Sequence, residues 1–320
     1  MRSSGGHPLQ LWGWGEVKSA DGVWRAERYQ VKDKHGATIG GAQVLIRRLP
    51  WPFRETAYVP RGPFGEQTEK VAGRIAAHLQ QHSRAHVVTY EPHSEKPFTP
   101  ERGRPNASPI LLPSTLILDL TQSGEELQSA ATKKTRQYIR KSQNSGVTIR
   151  RADKAADVDV ALQIYRETAA RAGFALHSDQ YYHRLFTEMG DAAPLYMAEV
   201  ENDGTPEAVA FLWLAASDDI AFELYGGVTA LGQKLRANYA LKWEVILDQQ
   251  SRGVKQYDMN GLLNDGVSQF KRGFADHDNE MTSGADIPLN SRYVLWAKAL
   301  PAVREMRRKI TERRARRQQS

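Results

Sequence analysis

No cysteine occurs anywhere in the 320 residues. That excludes disulfides, thiolate nucleophiles and sulfur-ligated metals, and it fits a reducing compartment. Long apolar runs are missing too: none approaches the roughly 20 residues needed to cross a bilayer as a helix. The opening, Met1 to Pro8, has no apolar stretch of the kind a secretory signal carries, so a cytoplasmic location is expected. Neither a Gly-x-x-x-x-Gly-Lys-Ser/Thr phosphate loop nor a Gly-x-Ser-x-Gly nucleophile elbow is present.

What remains is ordinary for a soluble globular chain: 40% hydrophobic and 25% charged residues, over a length sufficient for two cores. The net charge of +7 is unevenly placed. From Arg304 onward eight basic residues face only Glu305 and Glu312, so the rest of the chain is nearly neutral. Such a tail suits RNA phosphates or an anionic membrane face, and equally a solvated end.

The first third reads as mixed α/β. Strands are expected from Val23 to Val31 and from Thr38 to Leu49. A helix is expected from Glu66 to Gln81, with Val71, Ile75 and Leu79 at four-residue spacing, followed by a strand at Val87 to Tyr90. Six prolines between Pro92 and Pro113 mark a loop and the crossing between domains. Beyond it, a strand from Thr115 to Leu120 leads into one helix over 125–144. Further helices are expected over 158–171, 179–189 and 235–250, with strands over 147–151, 194–200, 207–215, 220–225 and 254–259. The order of strands and helices is roughly repeated in the two halves, which suggests two related α/β units.

Two stretches carry chemistry. In Tyr257-Asp-Met-Asn-Gly-Leu-Leu-Asn-Asp-Gly-Val-Ser-Gln-Phe-Lys-Arg-Gly-Phe274 a short strand runs into a polar loop that delivers Lys271 between Phe270 and Phe274. An ammonium shielded from water by aromatic rings exerts a stronger field on a developing anion. Asp258 and Asp265 are the nearby candidates for a base. In the 125–144 helix, Lys133, Arg136 and Arg140 share a face with no acid among them, so an anionic partner would relieve their repulsion; the alternative is a solvated face. Two patterns are set aside. His78, His82 and His86 have helical spacing, but they lie at a helix end that favours histidine and lack a His-Glu-x-x-His pattern, so no metal is expected. Gln10-Leu-Trp-Gly-Trp-Gly15 matches a coenzyme A pyrophosphate string but has no strand before it.

The ordered set resembles the FemABX family, the aminoacyl-tRNA-dependent transferases that build peptidoglycan cross-bridges. It comprises Trp14-Gly-Glu-Val-Lys18, Tyr58-Val-Pro-Arg-Gly-Pro63, Gly173 to Tyr181, the Tyr225-Gly-Gly turn, Asn238 to Glu244 and the Phe270-Lys271 pair. The resemblance implies two tandem acetyltransferase-like (GNAT-type) domains with mixed sheets, the C-terminal helix packing back on the first. Residues 1–113 form the first domain, completed by 288–320, and 114–287 form the second. It implies transfer of an amino acid from aminoacyl-tRNA, the co-substrate in place of any cofactor, to the stem peptide of UDP-N-acetylmuramyl-pentapeptide or lipid II. Lys271 would stabilise the oxyanion, with Phe270 fixing its direction. Lys18, His177 (where relatives carry arginine), Tyr181, Tyr225 and Arg61 would bind substrate, and Lys133, Arg136 and Arg140 would meet tRNA. A monomer is implied, and a peripheral contact with the inner membrane face is allowed. The rival readings are a coenzyme A-dependent N-acyltransferase on the same fold and a non-catalytic RNA- or membrane-binding protein.

Overall fold

The computed structural model describes residues 6–106, 108–263 and 265–299. They form two compact units that the chain enters alternately: the described part of Met1–Ala20 joins Leu112–Met281 in a larger unit, while Asp21–Leu111 joins the described residues from Thr282 in a smaller one. The walk begins with α1 (Trp12–Ser19). The smaller unit then supplies β1 (Trp24–Lys32), β2 (Thr38–Arg48), β3 (Glu55–Pro60), β4 (Phe64–Gly65), α2 (Thr68–His82), β5 (Ala85–Glu91) and β6 (Arg104–Pro105). Back in the larger unit come β7 (Ser114–Thr115), β8 (Ile117–Asp119), α3 (Gly124–Ala130), α4 (Lys133–Asn144) and β9 (Thr148–Arg151). α5 (Ala155–Ala172), α6 (Asp179–Met189), β10 (Leu195–Asn202), β11 (Thr205–Ala216) and β12 (Ile220–Val228) follow. That unit closes with α7 (Ala230–Leu235), α8 (Ala237–Ser251), β13 (Gln256–Asp258), α9 (Gly266–Arg272) and β14 (Asn279–Glu280). The last strand, β15 (Ala285–Pro288), belongs to the smaller unit.

In the smaller unit the sheet order is β1-β2-β3-β5-β15-β6, with only β3 and β5 parallel among its neighbours. The helical spacing of Val71, Ile75 and Leu79 buries one face of α2 against Val44, Ile46, Val59 and Val88. Residues 292–299 are helical, and Trp296 packs edge-on against Phe53 and His86 in this same unit. The C-terminal helix thus begins on the first domain; the Arg-rich tail from Arg304 lies outside the described residues.

The larger unit's sheet runs β8-β13-β12-β11-β10-β9, again with one parallel pair, β12 with β13. β11 is apolar along most of its length because both its faces are covered. Leu212 and Leu214 pack in the core with Leu241 and Val245 of α8, whereas the alternate residues Phe211 and Trp213 meet Tyr165 of α5 and Tyr182 of α6. α1 lies on α6. Among the described residues no helix is long and apolar enough to cross a membrane.

Three expectations need correction. The boundaries 1–113 and 114–287 do not hold as drawn, because α1 packs with the larger unit and β15 pairs with β5 in the smaller one. The crossing itself falls between Leu111 and Leu112, at the end of the proline-rich run. The single helix over 125–144 is two helices: Ala131 and Thr132 are extended, Thr132 caps α4 through Thr135 N, and its own N–H donates to Gly273 O at 2.9 Å. α9 was not foreseen, because Gly261, Asn264, Asp265 and Gly266 read as an uninterrupted loop.

Candidate active site

The larger unit's parallel pair is short. β12 and β13 match from Ile220↔Gln256 to Phe222↔Asp258; then β12 continues to Val228 while the other chain turns away at Asn260, which sits at φ 61°. Where the strands part, the Asn260 side chain donates to Glu223 O at 3.0 Å and keeps the gap in register. Asp258, fully buried, accepts from Thr115 Oγ1 at 2.5 Å and from Asn260 N at 2.7 Å. Asp265 caps α9 through Ser268 N, and the Ser268 hydrogen bonds hold its carboxyl below the usual aspartate range. Both aspartates are therefore engaged in shaping the loop.

Lys271 sits half-buried at the end of α9 and donates to Gly261 O at 2.9 Å and Asn260 O at 3.2 Å. An ammonium carries three N–H donors, so two carbonyls fix its position and leave one N–H to point elsewhere. Gly273 permits this placement, because a Cβ there would lie 2.3 Å from Thr135 Oγ1 at the start of α4.

The expectation that Phe270 and Phe274 flank Lys271 is corrected. On a helical turn residues four apart share a face, while the residue next to one of them points about 100° away. The two rings meet edge to face with centroids 5.4 Å apart, and the cation beside them is Lys242 of α8, 5.2 Å from Phe270 and 5.9 Å from Phe274. Lys242 is 3% exposed and forms an ion pair with Glu223, which also accepts from Tyr257 OH at 2.9 Å. Burial lowers the Lys242 pKa, and Glu223 opposes that shift. This pair was missed from sequence. The available signal was a lysine among Ala240, Leu241 and Trp243, on the face of a helix that must be buried.

A second cluster gathers four of the expected substrate residues. Lys18, at the end of α1, donates to Tyr181 OH at 2.9 Å, and that hydroxyl lies 3.1 Å from Tyr225 OH. The Lys18 ammonium is 4.6 Å from the Trp14 ring and 4.8 Å from the Tyr181 ring. His177 stacks on Tyr181 with centroids 4.2 Å apart, and Tyr165 and Tyr182 back Tyr225. Burial raises the Tyr225 hydroxyl pKa well above its usual value, so it stays a neutral donor. α1 approaches α6 this closely because Gly13 has no side chain: a Cβ would fall 2.5 Å from Glu188 O. The Gln10 to Gly15 string thus opens a packed helix, not a strand-to-helix phosphate turn.

Arg61 belongs to the smaller unit, where it is 4% exposed with φ at 51° just before a cis Gly62–Pro63 bond. Arg136 is occupied: its guanidinium donates to Ser129 O at 3.1 Å and to Ala131 O, closing the end of α3. Lys133 and Arg140 are exposed on α4. His78 and His82 stack on α2, while His86 is buried on β5 with its ring bound to Glu55 O at 2.7 Å.

Comparison with known proteins fits this geometry. The fold is that of FemX, with a TM-score of 0.79 at 17% identity, covering 90% of this chain and 94% of that one. A tandem GNAT protein from the clavulanic acid biosynthesis pathway matches at a TM-score of 0.50 and 12% identity, over 90% of this chain and 97% of that one. The C-terminal domain of a putative lysylphosphatidylglycerol synthetase from Agrobacterium fabrum matches at 0.54 and 12%, over 90% of each chain. The architecture is therefore a tandem acetyltransferase-like one. Residues 112–211 match the FemAB family model. In sequence the chain is 23% identical over 212 residues to the lipid II:glycine glycyltransferase of Staphylococcus aureus, covering 58% of this chain and 49% of the relative. It spans about half the length of the curated relatives it matches. On these matches the chain is similar to the FemAB family over residues 112–211 and shares the fold of FemX.

Proposed function

We propose that the protein moves an amino acid from aminoacyl-tRNA to an amine on the stem peptide of a peptidoglycan precursor, either UDP-N-acetylmuramyl-pentapeptide or lipid II. The relative's name, lipid II:glycine glycyltransferase, supports the reaction class and the lipid-linked acceptor. The observation that carries the reading is Lys271, pinned through two carbonyls where the strands part, with one N–H uncommitted.

In the proposed step the acceptor nitrogen attacks the ester carbonyl, and a C–N bond forms as the carbonyl oxygen becomes an oxyanion. The free N–H of Lys271 stabilises that charge. Collapse breaks the bond to the ribose oxygen, which leaves with a proton, and the ammonium proton of the new amide is lost to substrate or solvent. Lys18, Tyr181 and Tyr225 form a polar chain for the acceptor, where an ammonium suits a diphosphate and the hydroxyls fix its direction. Lys133 and Arg140 offer charge for the tRNA backbone; Arg136 holds α3 instead. The protein acts as a monomer with aminoacyl-tRNA as co-substrate, on the cytoplasmic side.

The test is to incubate the protein with mixed aminoacyl-tRNAs and each acceptor, then weigh the product. A gain of one amino-acid mass, lost in Lys271→Ala, supports the proposal. No gain with either acceptor overturns it, and turnover of an acyl-coenzyme A instead would favour the N-acyltransferase reading.

A further inference from the structure

The smaller unit presents an exposed indole beside a cavity lined by cations. The turn between β2 and β3 is closed by Leu49 N to Arg54 O at 2.7 Å and Phe53 N to Pro50 O at 3.0 Å. Its base is anchored, since the Phe53 ring packs against His86 and Trp296 with centroids 5.3 and 5.2 Å away. Its crest is not: Trp51 is 85% exposed. On the helix that supplies Trp296, Val294 and Leu295 are also more than half exposed. An indole left in water on a well-anchored turn, with exposed aliphatic side chains on the adjoining helix, is more than a scattered surface residue.

Charge lies beside this turn. A cavity of about 690 Å³ beside it is lined by Arg25, Arg48, Arg54 and Arg84, with Glu55 the one carboxylate of its wall. Glu55 is already spent on Arg25 at 2.6 Å. Arg48, Arg54 and Arg84 have no ion pair among the described residues. Three uncompensated guanidinium groups beside a protruding indole match the two needs of an anionic bilayer surface. Tryptophan settles at the headgroup level, and basic side chains are drawn to acidic lipids. Single-stranded nucleic acid would instead need successive stacking faces, and here the neighbouring ring, Phe53, is turned inward.

We infer that this face docks the protein on anionic lipid membranes, with Trp51 entering the interface and Arg48, Arg54 and Arg84 meeting lipid phosphates. The inference rests on the smaller unit alone, so vesicle binding can succeed or fail independently of the transferase assay with the soluble acceptor. The basic tail that follows is retained in every variant, so its contribution cancels.

The experiment is sedimentation of the full chain with vesicles of phosphatidylcholine alone or mixed with phosphatidylglycerol. Binding to the mixed vesicles is expected, and each arginine replaced by glutamine should weaken it about fivefold. Trp51→Ala should weaken it as well, with the melting temperature unchanged because the crest carries no core contact. Equal binding by wild type, Trp51→Ala and the triple arginine variant overturns the inference. So does loss of binding to a single-stranded oligonucleotide with vesicle binding intact.

Discussion

The two sheets use one plan in two ways. Each has an antiparallel set, one parallel pair near its middle and an antiparallel strand beyond. In the smaller unit the parallel pair β3 and β5 stays joined through Pro60↔Glu91. The Glu91 carboxylate at its end is satisfied by neutral donors: Tyr58 OH at 2.7 Å, Asn106 Nδ2 at 3.1 Å, and the backbone N–H of Ile110 and Leu111 at 2.6 and 3.0 Å. In the larger unit the pair parts after three residues, and the carboxylate beside the gap, Glu223, is satisfied by a buried ammonium. A closed strand end ties down a loop. An open one holds a charge network next to a lysine with a spare donor.

That contrast sets the sizes of the expected effects. Glu223→Gln strands the Lys242 charge in the core and should cost about 3–5 kcal/mol in urea unfolding. Adding Lys242→Met should restore much of the loss; equal damage in single and double variants would break the claim that charge, not shape, matters there. Lys271→Ala touches no core packing and should lower turnover in the aminoacyl-transfer assay by about 10²–10³-fold, with the melting temperature held. A variant that keeps its activity would remove Lys271 from the chemistry. Glu91→Gln loses part of a neutral donor set and should cost about 1–3 kcal/mol, clearly less than Glu223→Gln.

The smallest effect is expected at the pair of the half-exposed Arg150 with the buried Asp157, whose hydrogen bonds hold the Asp157 carboxyl below its ordinary range. Its native pKa lies below the unfolded one, so the contribution is full above the unfolded value of about 3.9 and lost as pH falls through the native value. Asp157→Asn should cost about 1–2 kcal/mol at neutral pH, and thermal melts should show the difference vanish in acid.

Much of this was legible beforehand. The helix from Asp179 to Met189 was expected with the bounds it has, and the units divide between Leu111 and Leu112, within the proline-rich loop. The grouping of Lys18, His177, Tyr181 and Tyr225 came from resemblance, and the four meet in one cluster. What spacing could not supply was partnership. Phe270 and Phe274 flank Lys271 in sequence, yet they shelter Lys242, because a helical turn separates neighbours and unites residues four apart. Arg136 looks like an anion ligand until the carbonyl end of α3 is seen to occupy it. α1 was hidden among glycines, one of which, Gly13, serves helix contact.

The place of β15 has a consequence for how the chain matures. Its four residues sit between β5 and β6, strands made some two hundred residues earlier on the ribosome. The smaller sheet therefore gains β15 and β6 only once residue 285 has been made, after the Leu112–Met281 segment of the larger unit. A nascent protein released before residue 285 would keep an exposed β5 edge open to pairing with a second copy.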